Sequence, residues 1–150
     1  MRRSISTLVL AALSSSAMAG EIAGADLYTK HCIVCHQANG EGAPGIAPPI
    51  SGTLHSRAKT PVGREFLAQI MVFGMIGTIS SHGMRYLGNM PSFSALTDTE
   101  LATVMNHVLL ALNGVDAPLS AGDLAAARGK ALPPAEVFKL RTRALAQSGG

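Results

Sequence analysis

The sequence predicts an all-α fold with one short hairpin before the last main helix. Three stretches, 24–34, 61–73 and 98–113, carry helix-capping residues or apolar residues at helical spacing. No stretch has the pattern of a parallel sheet. Only six of the 150 residues are aromatic and none is tryptophan, so we expect the core to be filled partly by something other than side chains.

The first 19 residues have the composition of a secretory signal peptide. Arg2 and Arg3 precede an apolar run at 8–13, and the small residues Ala17 and Ala19 form a cleavage pattern. The run is too short to span a bilayer, so we predict cleavage after Ala19, with a retained anchor as the alternative. Removal of this segment leaves ten basic and nine acidic residues, which gives no signal for nucleic-acid binding.

The first helix of the mature chain, 24–34, ends in the two cysteines of the sequence. The pentapeptide from Cys32 to His36 has the Cys-x-x-Cys-His spacing of c-type haem attachment. Each thiol adds to a haem vinyl group, and the histidine next to the second cysteine supplies one axial ligand to iron. We therefore expect Cys32 and Cys35 to hold one haem c and His36 to bind its iron.

Three other interpretations of the cysteine pair are weaker. A thioredoxin-like redox pair needs a preceding strand in a βαβ unit, which the sequence does not predict. A zinc site needs two further ligands at finger-like spacing, and the remaining histidines are scattered. A disulfide across two intervening residues would be strained.

Glycine and proline dominate residues 40–50, which predicts a loop. We expect this loop to pack on the proximal side of the haem, with Pro48, Pro49 and Ile50 as a stiff apolar wall. A backbone carbonyl of the loop would accept a hydrogen bond from the ring of His36. A simple linker is the alternative.

The second helix, 61–73, begins with the capping pair Thr60 and Pro61. Gly74 and Gly77 are predicted to end it. The apolar spacing then changes, which predicts a short hairpin that turns at residues 82–83.

The third helix, 98–113, opens with a capping box from Thr97 to Glu100 and closes at Asn113. From residue 116 the composition shifts to alanine, arginine and lysine, with two further helix starts near Ser120 and Pro133. We therefore divide the chain into a signal peptide (1–19), a main domain (20–115) and a C-terminal helical extension (116–150).

The sequence from Met90 to Phe93, followed by the third helix, resembles the segment that carries the distal methionine in class I c-type cytochromes. Together with the pentapeptide and the Gly/Pro loop, the resemblance covers residues 24–112. It implies the class I cytochrome c fold around one haem, with His36 and Met90 as axial ligands. Met84, His82 and an open sixth position are the alternatives to Met90.

Residues 74–91 further resemble the hairpin of cytochrome subunits or domains attached to periplasmic dehydrogenases or copper nitrite reductases. The resemblance implies a periplasmic electron carrier rather than an enzyme. Its partners would be a dehydrogenase or reductase on one side and an oxidase or another cytochrome on the other. The alternatives are a subunit docked on a larger enzyme through residues 116–150, and a peroxidase-like or gas-sensing protein with an open iron site.

Several other polar residues have smaller predicted roles. We expect His107 to pack near Tyr28 in the core, and His31 to be exposed. Arg57 and Lys59 precede the second helix and could neutralise haem propionates, although a solvated surface explains them equally well.

Overall fold

Seven helices and one two-stranded hairpin make up the part of the chain that the computed structural model describes, residues 20–21 and 23–149. The predicted signal peptide, 1–19, lies outside the described residues. In chain order the elements are α1 (23–31), α2 (Ile33–His36), α3 (His55–Ala58), α4 (Pro61–Phe73), β1 (Met75–Ser81), β2 (Met84–Met90), α5 (Asp98–Leu110), α6 (Ala121–Lys130) and α7 (Pro134–Gln147).

Helices α1 and α5 cross at Gly24. A Cβ atom there would lie 2.7 Å from the Cβ atom of His107 and 3.0 Å from the carbonyl oxygen of Thr103, so a larger residue would push the helices apart. Next to this crossing the rings of His107 and Tyr28 lie 5.6 Å apart, and His107 Nδ1 lies 2.8 Å from a carboxylate oxygen of Glu21. The predicted packing of His107 against Tyr28 is confirmed.

Helix α4 has the predicted bounds. The Thr60 hydroxyl accepts a hydrogen bond from the backbone N–H of Gly63 at 3.1 Å, which satisfies one of the free donors of the first turn. The helix ends at Gly74, whose φ of 70° favours glycine. The second predicted stop, Gly77, is wrong: this residue lies inside β1, where the ring of Phe138 occupies the space a side chain would need.

The hairpin is antiparallel and turns at His82 and Gly83, as predicted. Both turn residues have positive φ, 50° and 75°, which suits a two-residue turn between twisted strands. In this register Met75 pairs with Met90, so the last residue of β2 lies beside the end of α4. The prediction of a mainly helical fold with one short hairpin is confirmed.

Helix α5 begins at the predicted capping box, with both reciprocal hydrogen bonds between Thr97 and Glu100, and ends at Leu110, short of the predicted 113. Both extension helices form where the sequence predicts them. Helix α6 packs on α4 and α5, and α7 packs on α4 and β1. Their fully buried residues, among them Leu124, Leu140 and Ala144, belong to the same hydrophobic core as α4 and α5.

Within residues 20–21 and 23–149, the helices fall short of the length and apolar character that crossing a bilayer requires.

Candidate functional site

A deep cavity lies among α1, α4, α5, the hairpin and the 40–50 loop. The empty space among these elements, its open mouth included, amounts to about 1320 Å³. Its wall is mainly apolar, with aliphatic, aromatic and thioether side chains from every surrounding element: Tyr28, Ile50, Leu54, Phe66, Leu67, Ile70, Met71, Met75, Ile79, Phe93, Val104, Met105 and Val108. A large, flat, apolar group would fill this space.

Both cysteines lie on the cavity wall, at the junction of α1 and α2. The predicted helix is interrupted at Cys32, whose backbone N–H still donates to the Tyr28 carbonyl at 2.8 Å, and the turn continues through a hydrogen bond from His36 N–H to the Cys32 carbonyl at 2.9 Å. This turn holds Cys32, Cys35 and His36 on one side of the cavity. Both thiols are free and half-buried.

Burial raises the pKa of the Cys32 thiol to about 11, and the neighbouring Cys35 adds to the effect. The thiol is therefore protonated at neutral pH. Catalytic dithiols need the thiolate, which a lowered pKa supplies. The surroundings of Cys32 thus argue against the redox-pair interpretation. Among the described residues, moreover, no three histidine, cysteine or acidic side chains come together as a metal-binding group.

The ring of His36 is fixed by the 40–50 loop. Its Nδ1–H donates to the Pro48 carbonyl at 3.3 Å, and the loop is held in turn by a 3.0 Å hydrogen bond from Gly42 N–H to the His36 carbonyl. Burial lowers the pKa of His36, which outweighs the opposite effect of the carbonyl, so the ring is neutral at pH 7. Because Nδ1 is engaged, Nε2 is left free to bind a metal.

Pro48, Pro49 and Ile50 line the cavity next to this histidine. The predicted carbonyl contact between the loop and the histidine ring is confirmed, whereas the place of the loop on the proximal side of a haem stays a prediction. The interpretation of the loop as a simple linker is wrong.

Met90 lies at the end of β2, half-buried in the cavity wall. The residues that follow it are fastened to the end of α4. The Ser92 hydroxyl donates to the Val72 carbonyl at 2.6 Å, and Phe93 N–H donates to the Met71 carbonyl at 3.1 Å. These carbonyls are among those that a helix end leaves unpaired, so the Met90 segment and α4 satisfy each other's backbone groups.

The rivals of Met90 named from the sequence lie elsewhere. His82 is exposed in the hairpin turn, Met84 is 42% exposed, and neither belongs to the cavity wall. Three methionines that the sequence assigns to the core, Met71, Met75 and Met105, are buried as expected but also line the cavity. Position alone therefore leaves four thioether groups in the wall.

The other polar residues named from the sequence also differ in whether they reach the cavity or face solvent. Arg57 lines the cavity, whereas Lys59 is exposed, with its Nζ 2.7 Å from His55 Nε2. The expected exposure of His31 is wrong: Phe93 packs edge-on against its ring at 6.3 Å, and its buried Nε2 has no hydrogen-bond partner among the described residues. A further residue, Arg141 of α7, lines the cavity and had no recognisable signal in the sequence.

These donors suit a haem better than a bare metal ion. Two thiols and a neutral imidazole lie on one side of a mainly apolar cavity, thioether groups lie in its wall, and two arginines reach it. Covalent attachment uses the thiols, axial ligation uses the imidazole, and the apolar wall suits the porphyrin.

Comparisons with known proteins agree with this fit. The sequence model of a family described as "Cytochrome c" matches residues 22–111. Cytochrome c-552 of Thermus thermophilus is 36% identical over 125 residues, covering 80% of this chain and 95% of that protein. A second cytochrome c-552 of the same species has the same identity, with 80% of this chain and 84% of that protein covered. The cytochrome c subunit of a quinone-type alcohol dehydrogenase from Gluconobacter oxydans is 29% identical over 113 residues, covering 74% of this chain but 23% of that subunit.

Proposed function

The chain belongs to the cytochrome c family and is an electron-transfer protein with covalently bound haem c, and on that premise we propose that it is a one-electron carrier with Cys32 and Cys35 as attachment points and His36 and Met90 as axial ligands. The observation that carries this proposal is the shared cavity. Two thiols, a neutral histidine with a free Nε2, and Met90 all reach it.

His36 would hold the iron from one side in a fixed orientation. Its Nδ1–H is bound to the Pro48 carbonyl, which sets the tautomer and increases the basicity of the ligating nitrogen. The bound haem supplies reversible one-electron exchange between Fe(III) and Fe(II). The stiff proline wall keeps the histidine ring in the same place in both oxidation states.

Met90 would supply the second axial ligand. A soft thioether favours the ferrous state and so raises the reduction potential. Met90 stands apart from the other three methionines in the wall because Pro91 and the hydrogen bonds of Ser92 and Phe93 fix the segment around it. Met71 and Met105 lie inside α4 and α5, Met75 begins β1, and all three are buried in the core.

Electrons would pass through the cavity mouth. Val34, between the two cysteines, is 80% exposed, and Ile46, on the cavity wall, is 65% exposed. Exposed apolar side chains beside the attachment point suit the brief, small contacts of redox encounters.

We place the mature protein in the periplasm, because residues 1–19 have the features of a cleaved signal peptide and haem c is attached outside the bacterial cytoplasm. Its partners would be a dehydrogenase or reductase and an oxidase or another cytochrome. The similarity to a dehydrogenase cytochrome subunit also supports a second candidate, a cytochrome that works docked on a larger enzyme. Co-purification of the intact holoprotein with an oxidoreductase from periplasmic extract would favour that candidate.

A redox titration with added ligands tests the carrier proposal. We expect the purified holoprotein to titrate as a reversible one-electron couple, and we expect cyanide and imidazole to leave the ferric spectrum unchanged at concentrations that saturate an open haem. Rapid cyanide binding, or peroxidase turnover with hydrogen peroxide, would instead support an open sixth site and contradict the proposal.

A further inference from the structure

Two arginines from distant parts of the sequence reach the same mainly apolar cavity. Arg57 comes from the single-turn helix α3, and Arg141 comes from α7 in the C-terminal extension. Both side chains are half-buried. Cations on a largely apolar wall lose much of their hydration, so their positions need an explanation.

Neither arginine forms an ion pair with a described residue, in contrast to two other arginines of the fold. Arg128 binds the carboxylate of Asp98 at 3.0 Å, and Arg64 lies 3.7 Å from that of Asp123. Burial lowers the pKa of both Arg57 and Arg141, and the charge of Arg141 lowers that of Arg57 further, which means that the two guanidinium groups repel each other. A pair of partly desolvated like charges costs free energy until an anion neutralises them.

We propose that Arg141, together with Arg57, binds the propionate carboxylates of the haem, so that α7 of the C-terminal extension is part of the haem site. The inference rests on the haem attachment proposed above. The cofactor that fits this cavity carries two carboxylates, which match two guanidinium groups in number and sign. Guanidinium is also the side chain that pairs best with a carboxylate, because it can offer two parallel N–H donors.

Helix α7 can hold Arg141 in place because the helix itself is firmly packed. Leu140 and Ala144 are fully buried, and Phe138 lies over Gly77 of β1. The extension therefore contributes a charge to the cavity from a rigid element.

The test is the reduction potential of the full-length holoprotein, measured by spectroelectrochemical titration. Loss of a cation beside the haem favours ferric iron, so Arg141→Gln should lower the potential. The matched control is Arg143→Gln, which removes the same charge from an exposed position two residues along the same helix. Arg141→Lys keeps the charge and should restore most of the potential.

A negative shift in Arg141→Gln that clearly exceeds the shift in Arg143→Gln supports the proposal. Equal shifts in the two variants, or no recovery with lysine, would overturn it. If Arg141→Gln does not accumulate as folded holoprotein, Arg57→Gln carries the same prediction from the other arginine. Failure of the haem attachment itself would be seen separately, as wild-type protein without covalently bound haem on a denaturing gel.

Discussion

The part of the cavity wall that carries His36 is made from one continuous stretch of chain. The rest of the wall is assembled from elements that are far apart in the sequence. Cys32, Cys35, His36 and Pro48 lie on the α1–α2 junction and the loop after it. The segment that follows Met90, by contrast, is held by hydrogen bonds to α4. The arginines come from α3 and α7.

The two parts of the wall are held in place by different interactions. The stretch 32–50 is shaped by a helical turn, by prolines and by hydrogen bonds over short sequence distances, so little chain entropy is lost in bringing its groups together. The remaining wall exists only when α4, the hairpin and α7 are packed together in the core. Substitutions in the first region should therefore affect the attachment chemistry, and substitutions in the second should affect stability and potential.

The largest effect should come from the continuous stretch. In a Cys32→Ala/Cys35→Ala variant no thioether bond can form, so no haem should remain on the polypeptide after denaturation. Haem staining of a denaturing gel, with the wild-type protein beside it, measures this directly. Retained covalent haem in the double variant would show that the attachment lies elsewhere.

The next effect tests whether the extension belongs to the core. Leu140 of α7 is fully buried, so Leu140→Ala should lower the free energy of unfolding of the whole holoprotein by about 2–5 kcal/mol. The same substitution at Leu110, which is 51% exposed, should change it by less than about 0.5 kcal/mol. Denaturant unfolding followed at the haem absorption band makes the comparison. Equal stabilities of the two variants would mean that α7 is only appended to the domain.

A smaller effect is expected at Arg128 of α6. Its guanidinium donates to Asp98 and to the carbonyls of Ser94 and Leu96, each at 3.0 Å. These hydrogen bonds hold the segment between Met90 and α5 against α6. The side chain is partly exposed, which weakens each contact, so Arg128→Gln should cost about 1–2 kcal/mol. Arg143→Gln is the control in the same unfolding experiment. A loss no greater than that of the control would argue against this role for Arg128.

The two regions also differ in how far the sequence predicts them. The pentapeptide, the loop and the capped helix starts carry their signals in neighbouring residues, and the Pro48 contact to His36 follows from them. The prediction of Gly77 as a helix stop is wrong because its neighbour in space, Phe138, is 61 positions away in the chain. The place of Arg141 could not be predicted for the same reason: an amphipathic helix shows which face is buried but not what it is buried against.

The wrong prediction for His31 has the same cause, a neighbour in space that is distant in the sequence. Its place in α1 follows from the sequence, but its burial depends on Phe93, which arrives from the segment after β2. The sequence also favours Met90 over the exposed His82 and Met84. It does not show that Met71, Met75 and Met105 line the same cavity.

The axial ligation at Met90 is tested most directly by the weak far-red charge-transfer band of ferric iron bound to methionine. We expect this band in the wild-type holoprotein and in Met75→Leu, a matched substitution in the residue that pairs with Met90 across the hairpin. Leucine conserves most of the volume of methionine but cannot bind iron, so Met90→Leu should keep its covalent haem and lose the band. Survival of the band in Met90→Leu, or its loss in Met75→Leu, would contradict the proposed ligand.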